Sequence, residues 1–512
     1  MRTKYSMINM IFGVGGHVLN MVLAFVSRMI FIRYLDAAYL GVSGLFSDIL
    51  GMLNLAELGI GSAMIFSMYK PAALDDREQL GKLMNLYKLM YRLVAAFVLA
   101  AGLCLLPFLN VLIKGDPGIE HIRLIYLMYL GNSVSSYLLS YKNSILQAYQ
   151  RAYIRTVVEQ IAHAVQIVLQ VVVLIVTQNF LLYLLLQILT QISINLVVSR
   201  RVDKEFPYLK DEKRLPSKEE RSGIMKNILA LSMHRLGSAV VNSTDNLLMS
   251  AFVGLTSVGI YSNYKLVIKS LGDLLNKVYT AFTGSIGNLG ATQDPEYIYR
   301  IYKQLDFFLF LLFGYFSVGM VVLFNPFIKL MFGEEYLFSQ AVVIIVVVQF
   351  YITGMRQINL QFREAMGLFW YDRYKPVAES IINLVVSILL VQRYGVAGVF
   401  LGTIVSTMTT CFWVEPYILM KYGLKEQWQE KLRDYFIEYG RRALTVVGGS
   451  IVGLCFTGGM RDSFLWFILK GILFTVEYAA LIFLTYGRSE EFEALLEHGK
   501  NFLKQHLDRK KT

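Results

Sequence analysis

The fold is decided by a stretch that the chain contains twice, first as Arg155-Thr-Val-Val-Glu-Gln-Ile-Ala-His-Ala-Val165 and again as Lys375-Pro-Val-Ala-Glu-Ser-Ile-Ile-Asn-Leu-Val385. The alignment places Glu159 over Glu379. A second pair, Tyr39-Leu-Gly41 and Ser257-Val-Gly259, matches at nearly the same displacement. Two matches at one displacement indicate an internal duplication, in which each half contributes an equivalent set of helices.

The composition indicates a membrane protein. Hydrophobic residues make up 55% of the 512 residues, charged residues make up 17%, and the mean hydropathy is +0.50. We predict an all-α polytopic fold with about fourteen transmembrane helices, roughly six in each repeat and two more near the carboxyl end. Because six is an even number, both repeats enter the membrane in the same orientation. A pseudo-two-fold axis along the membrane normal is therefore expected to relate them.

The predicted helices and loops divide the chain into six segments. These are an N-terminal six-helix lobe (1–199), a basic cytoplasmic linker (200–227), a C-terminal six-helix lobe (228–420), a cytoplasmic interfacial segment (421–442), two additional transmembrane helices (443–486) and a cytoplasmic amphipathic tail (487–512). A high density of charge and two prolines mark the linker.

The distribution of basic residues predicts the orientation. Most of the 49 lysine and arginine residues lie in the amino terminus, in alternate loops and in the carboxyl tail. Basic loops stay on the cytoplasmic side, so both termini are predicted to be cytoplasmic. The net charge of +12 follows from this bias, and we expect no nucleic-acid partner. No catalytic or metal-binding motif is evident, so we expect a transporter without cofactor or metal rather than an enzyme.

Charge inside the predicted helices indicates a water-filled path. The eighth helix presents Lys265, Lys269, Asp273 and Lys277 at intervals of four residues, which places them on one face. Each lysine near the bilayer centre costs about 2.5–3.5 kcal/mol even on a lenient insertion scale. Because lipid contact is that unfavourable, we predict that this face lines a central cavity with a cationic bias.

Other helices carry polar residues of the same kind. The predicted substrate-binding residues are Arg28, Lys265, Lys269, Lys277, Arg235, Asn242 and Arg356. The predicted ion-coupling residues are Glu57, Asp245, Asp273 and His234. For each residue the alternative is an ion pair or hydrogen bond that holds helices together. That structural alternative is favoured for Glu159 and Glu379, whose duplicated position lies beside a cytoplasmic helix end.

Several motifs carry a resemblance to a known family. They are Arg33-Tyr-Leu-Asp-Ala-Ala-Tyr-Leu-Gly41-Val-Ser-Gly-Leu-Phe46, Glu57-Leu-Gly-Ile-Gly61, Tyr69-Lys-Pro71 and Pro326-Phe-Ile-Lys-Leu-Met-Phe-Gly-Glu-Glu-Tyr336. With these motifs the chain resembles the polysaccharide transporter family, the Wzx-type oligosaccharide flippases, in the superfamily that also holds lipid II flippases and MATE exporters.

The resemblance implies a function and its partners. It implies movement of undecaprenyl-pyrophosphate-linked oligosaccharide repeat units from the cytoplasmic to the outer leaflet of the bacterial cytoplasmic membrane, by alternating access. It also implies a monomer in the lipid bilayer that works with a glycan polymerase and other assembly proteins, and a groove for the lipid tail around 443–486. The alternatives are a MATE-type ion-coupled exporter, a lipid II-type flippase, and an integral-membrane glycan polymerase or acyltransferase. The short predicted outer loops count against an enzyme.

Overall fold

The part of the chain that the structure describes folds almost entirely into helices. The computed structural model describes residues 22–57, 60–113, 118–149, 151, 153–210, 212–280, 286, 294–368, 371–461 and 463–497. Of these residues 88% are helical, and none of them lies in a β-strand. The predicted all-α fold is thereby confirmed.

The helices are numbered in chain order. They are α1 (22–34), α2 (Ala37–Leu53), α3 (Ile60–Ala73), α4 (Arg77–Leu105), α5 (Leu109–Leu112), α6 (Ile122–Tyr137), α7 (Asn143–Ala148), α8 (Tyr153–Thr177), α9 (Phe180–Glu205), α10 (Lys218–Phe252), α11 (Leu255–Thr280), α12 (Pro295–Phe332), α13 (Gln340–Met355), α14 (Gln357–Ala365), α15 (Lys375–Tyr394), α16 (Val396–Thr409), α17 (Cys411–Ile418), α18 (Trp428–Thr457), α19 (Phe464–Tyr486) and α20 (490–497).

Side-chain caps mark where several helices begin. The Asp76 carboxylate accepts a hydrogen bond from the Gln79 backbone N–H at 3.0 Å at the start of α4. At the start of α10, Ser217 and Glu220 form a reciprocal capping box. Each cap satisfies a backbone donor that the first helical turn leaves without a partner, so polar residues at these positions fix the helix starts.

Within the described residues, eight helical stretches are long and apolar enough to cross a membrane. The chain is therefore a multi-pass membrane protein. Neither α10 nor α11 is among the eight, since charged side chains interrupt their apolar character. The number of about fourteen spans and the cytoplasmic location of both termini stay predictions.

The duplication is visible in the order of the helices. Helices α6, α8 and α9 of the first repeat correspond to α13, α15 and α16 of the second. Both α6 and α13 stop after sixteen residues, and a short helix, α7 or α14, follows each break. The same interruption in both copies indicates that the repeat includes helix breaks as well as helix positions.

By contact density the chain divides into two compact units, Met1–Gly259 and Ile260–Thr512. Much of the predicted linker 200–227 is helical, because α9 continues to Glu205 and α10 begins at Lys218. The rest of this segment packs on α4, where the Asn85 side-chain amide donates to the Glu212 carbonyl at 2.8 Å. These contacts place the segment with the first unit. The predicted lobe boundaries themselves stay a prediction.

In the first unit, two glycines allow an unusually close helix crossing. These are Gly41 of α2 and Gly259 of α11, which the repeat places at equivalent positions. A Cβ atom at Gly41 would lie 2.0 Å from the Leu255 carbonyl oxygen, and one at Gly259 would lie 2.0 Å from the Ala37 carbonyl oxygen. Because both neighbours are backbone atoms, only glycine fits at either position.

In the second unit, α12 runs through the centre of the packing. Phe307, Phe310 and Phe313 on this helix are buried, and Tyr486 of α19 packs against the first two with ring centroids 5.4 Å apart. One continuous helix, α18, contains most of the predicted interfacial segment 421–442 and much of the first additional span. Of the predicted tail 487–512, residues 490–497 form α20, and residues 498–512 lie outside the described part.

Candidate functional site

Helix α11, which lies in the second unit from Ile260 onward, has a charged side and an apolar side. Its four predicted site residues, Lys265, Lys269, Asp273 and Lys277, share one face. Lys265 is half-buried and makes contacts of its own, whereas the other three side chains are exposed. Within the described residues, no carboxylate lies at ion-pairing distance from Lys269 or Lys277. This charged face therefore keeps a positive excess.

The opposite side of α11 is apolar. Val267 and Leu271 lie roughly 160° around the helix from the centre of the charged face. Together with α12 and α19 they form a groove of about 270 Å³. The lining consists of Val267, Leu271, Tyr315, Phe316, Gly319, Met320, Leu323, Phe324, Phe327, Phe467 and Phe474. One helix thus carries fixed cations on one side and an apolar groove on the other.

The lipid-tail groove expected around 443–486 stays a prediction, and the apolar groove described above involves only one of the two additional spans. Both additional spans, around 443–486, are expected from the resemblance to form a groove for a lipid tail. In the structure α19 contributes Phe467 and Phe474 to the groove, but none of the lining residues comes from α18. Its other walls come from α11 and α12. The aromatic side chains on α12 and α19 follow helical spacing, which sequence analysis could have recognised. That they form a groove together with α11 depends on tertiary packing and could not be predicted in this way.

Glu57 lies in the first unit, in a single 3₁₀ turn where α2 ends. Its carboxylate accepts hydrogen bonds from the Tyr91 and Tyr137 hydroxyls. The Tyr87 hydroxyl in turn donates to the Tyr91 hydroxyl at 3.0 Å. All three tyrosines are buried, so Glu57 is enclosed by hydroxyl donors at a break between helices. Sequence analysis missed these tyrosines, although the i, i+4 spacing of Tyr87 and Tyr91 was available as a signal.

We predict that Glu57→Gln abolishes any response of transport to an imposed pH gradient while cargo binding is retained. Glutamine keeps an acceptor for the tyrosine hydroxyls but cannot bind and release a proton. The measurement is transport in proteoliposomes with and without the gradient. Glu159→Gln is the control, because Glu159 is already paired with Arg155 at 2.6 Å. Gradient-driven transport by Glu57→Gln equal to that of the unaltered protein would exclude Glu57 as the coupling residue.

Two further residues of the first unit, Asp245 and Arg28, are predicted to take part in ion coupling and in substrate binding, and both lie among other helices. Asp245 is buried on α10 and has interaction partners, and the neighbouring Asn246 amide donates to the Asp48 carboxylate of α2 at 2.6 Å. Arg28 of α1 is close to Tyr129 of α6 and Tyr183 of α9. Buried polar contacts of this kind hold helices together in a membrane. Their roles in coupling and in substrate binding stay predictions.

The structure places Arg356 in a buried ion-pair network of the second unit. Its guanidinium donates to both oxygens of Glu415, at 3.0 and 2.7 Å, and lies 3.5 Å from the Glu379 carboxylate. Lys375 pairs with Glu415 and with Asp372, which also pairs with Arg363. Three cations face three anions here, so the network is electrically balanced. A substrate-binding role for Arg356 stays a prediction. The geometry gives Arg356 a structural role as a member of this ion-pair network.

Sequence analysis singled out Arg356 and Glu379 but missed the other four members of this network, Glu415, Lys375, Asp372 and Arg363. Asp372, Arg363 and Lys375 surround the junction of α14 with α15, and Glu415 lies on α17, about forty residues further along the chain. Only the charge of Glu415 inside an apolar stretch signalled that it needs a partner. The pairing of Arg356 with Glu379 supports the structural interpretation of the duplicated glutamate.

The remaining predicted site residues are His234, Arg235 and Asn242 on α10. The side chains of residues 229–243 lie outside the described part of the structure, so their roles stay predictions. Among the side chains that are described, no group of three or more His, Cys, Asp or Glu residues is arranged to hold a metal ion.

Several solved structures share this fold at low sequence identity. An inward-facing multidrug resistance MATE family transporter of the MOP superfamily matches with a TM-score of 0.63 and 16% identity, over 80% of this chain and 96% of that chain. The lipid II flippase MurJ, in an inward closed conformation, matches with a TM-score of 0.61 and 14% identity, over 93% and 99%. A MOP superfamily transporter from Pyrococcus furiosus matches with a TM-score of 0.52 and 14% identity, over 80% and 94%. These likenesses establish the fold.

Sequence comparison gives the family. No curated protein sequence matches the chain significantly. The family model described as polysaccharide biosynthesis protein matches residues 7–281, which is more than half of the 512 residues. The chain therefore belongs to the polysaccharide biosynthesis protein family.

Proposed function

We propose that this protein is a flippase that moves undecaprenyl-pyrophosphate-linked oligosaccharide repeat units from the cytoplasmic to the outer leaflet by alternating access. The observation that carries the proposal is the division of α11 into a charged face and an apolar groove. Such a cargo has the same division, because a diphosphate and sugars form one end and a polyprenyl chain forms the other. Membership of a polysaccharide biosynthesis family supports the choice of glycan cargo.

The chemistry of α11 suits a diphosphate. Moving this group through a bilayer requires fixed donors in place of its hydration, and lysine ammonium groups supply mobile point charges. Lys269 and Lys277 retain their full charge toward a ligand, because no described carboxylate pairs with them. The aromatic groove along α12 and α19 offers an apolar surface for a lipid tail. We assign the headgroup to the charged face and the tail to the groove.

The fold also admits a MATE-type exporter of small molecules. The MATE fold accounts for 80% of this chain and the fold of the lipid flippase MurJ for 93%, which favours a lipid cargo. The Pyrococcus furiosus relative is described as having a binding pocket of reverse polarity that suggests a different function. The charge of the site is therefore a reasonable criterion for function within this superfamily.

We predict that Lys269→Gln combined with Lys277→Gln lowers glycan export by about tenfold or more, because two charge-assisted contacts to phosphate are lost. Cells that carry only the variant should accumulate glycan-loaded undecaprenyl pyrophosphate on the cytoplasmic side, measured by lipid extraction. Lys269→Arg with Lys277→Arg should retain most of the export. Lys425→Gln with Arg433→Gln removes two exposed cations elsewhere and is the matched control.

Three results would contradict this function. One is normal export by the Lys269→Gln, Lys277→Gln variant at normal abundance. Another is an equal loss of export in the Lys425→Gln, Arg433→Gln control. The third is a cell without the protein that exports glycan normally but becomes sensitive to cationic drugs, which would establish the MATE-type alternative.

A further inference from the structure

The first unit contains a second cationic region, a pocket of about 590 Å³ where α4, α6 and α9 meet. We call it the basic pocket. Three cations line it, Lys88 and Arg92 of α4 and Lys142, which follows α6. Leu138 and Ile192 are among the apolar residues of its wall. Neither the duplication nor the proposed cargo path assigns a role to these residues.

The charges of the basic pocket are only partly balanced. Lys142 donates to the Asp203 carboxylate at 2.5 Å and to the Ser199 hydroxyl at 2.8 Å. Within the described residues, no carboxylate lies at ion-pairing distance from Lys88 or Arg92, which occupy successive turns of α4. The Glu57 carboxylate lies behind Tyr91 and Tyr137 of the pocket wall and accepts hydrogen bonds from their hydroxyls. A positive excess therefore remains in the pocket.

The apolar wall continues onto the lateral surface of the first unit. Leu138 is 53% exposed, Ile192 is 38% exposed and Leu196 is 39% exposed. Ile192 and Leu196 lie on α9, which is long and apolar enough to span a membrane, so their exposed side chains suit contact with acyl chains, and Leu138 lies just beyond the end of α6. The pocket thus combines fixed positive charge with direct access to the lipid phase.

The position of the basic pocket along the helices matches the membrane surface. Lys88 lies in the first half of α4, Arg92 lies beside its midpoint, and Lys142 and Asp203 lie at the ends of their helical segments. Arg200, Arg201 and Lys204 extend α9 beyond the pocket at the same end. The positive-inside rule predicts that such a basic end lies at the cytoplasmic leaflet, and basic pockets between helices on that side bind lipid headgroups.

We propose that the basic pocket binds one anionic phospholipid, with the phosphate held by Lys88, Arg92 and Lys142 and the acyl chains lying along Leu138, Ile192 and Leu196. Arginine offers two parallel donors to a phosphate, and lysine adds a point charge. A soluble phosphate would not use the apolar wall. A neutral lipid would leave the positive excess without a counter-charge.

The test uses the full-length protein in nanodiscs of phosphatidylcholine containing a small fraction of phosphatidylglycerol. Lipids that remain bound after release are counted by native mass spectrometry. The unaltered protein should retain phosphatidylglycerol preferentially. Lys88→Gln with Arg92→Gln should lower that preference about tenfold, because two charge-assisted contacts are lost. Lys88→Arg with Arg92→Lys keeps both charges and should retain it.

The matched control is Lys425→Gln with Arg433→Gln, which also removes one lysine and one arginine, both exposed. An equal fall in the control would mean general attraction of anionic lipid and would overturn the pocket. Absence of any phosphatidylglycerol preference in the unaltered protein would also overturn it. Displacement of the lipid by millimolar inorganic phosphate, with phosphate retained in its place, would identify a soluble-anion site instead.

The melting temperature in pure phosphatidylcholine shows whether each variant is folded. If Lys88→Gln with Arg92→Gln is not folded, the test is made with Lys88→Arg with Arg92→Lys, which keeps both charges, and with Leu196→Gln.

Discussion

Glu415→Gln should destabilise the protein by about 3–5 kcal/mol, because it removes one partner of a buried ion pair and leaves positive charge uncompensated. Glu415 is 1% exposed, and its carboxylate accepts from both Arg356 and Lys375. Glutamine has the same size but no charge, so the effect is electrostatic rather than a loss of packing. The measurement is the fraction of folded protein in detergent on heating or after membrane extraction.

The control for this variant is Asp75→Asn. Asp75 pairs with Arg77 at 3.1 Å, but both side chains are more than half exposed. Exposed pairs contribute about 0–1 kcal/mol, so this variant should unfold like the unaltered protein. Equal stability of Glu415→Gln and Asp75→Asn would contradict a stabilising network.

A double variant separates the two roles considered for Arg356. Arg356→Met with Glu415→Gln removes one positive and one negative charge together and should recover much of the lost stability, since two cations, Lys375 and Arg363, remain with two anions, Asp372 and Glu379. If this folded double variant exports glycan normally, Arg356 is not a cargo ligand. If it is folded but inactive, Arg356 acts on cargo as well.

Gly41→Val is expected to have the second large effect, a loss of more than about 3 kcal/mol or failure to accumulate in the membrane. Any Cβ at this position lies 2.0 Å from the Leu255 carbonyl oxygen, and a backbone atom cannot move aside as a flexible side chain can. Helix α2 would have to separate from the first turn of α11. Abundance in the membrane and thermal unfolding of the purified protein measure the effect.

Gly51→Val is the control for Gly41→Val on the same helix. A Cβ at Gly51 has no neighbouring atom within 4 Å, and valine costs less than glycine in a helix. This variant should accumulate normally. A folded, normally abundant Gly41→Val protein would mean that the close crossing of α2 and α11 does not contribute to stability.

Much of the fold could be predicted from the sequence because its causes are local. Apolar stretches of spanning length require helices in a bilayer, where every backbone polar group must be satisfied within the segment. The duplicated stretch around Glu159 and Glu379 correctly indicated the repeat, which appears in the helix order and in the matching breaks after α6 and α13. The charged face of α11 was also visible, since four charged residues at four-residue spacing share one side of any α-helix.

The partners of the charged residues could not be predicted in this way. The sequence predicts that Arg356 and Lys269 are both cations inside the membrane. Nothing in the residues next to them indicates which of the two has a carboxylate partner. The structure separates them, because Arg356 meets Glu415 from a helix far along the chain while Lys269 meets no described carboxylate. The same holds for Glu57, whose tyrosine donors come from α4 and α6.

By itself the sequence determined that this chain is a helical membrane protein with an internal duplication, and which positions carry charge inside its helices. The tertiary structure alone decided which of those charges are neutralised, where the apolar groove beside α11 lies, and that Gly41 and Gly259 share one close crossing. The physical reason is that helix formation and hydrophobicity depend on consecutive residues. Ion pairing, cavity shape and steric fit depend on distances between residues that only the packing of distant helices sets.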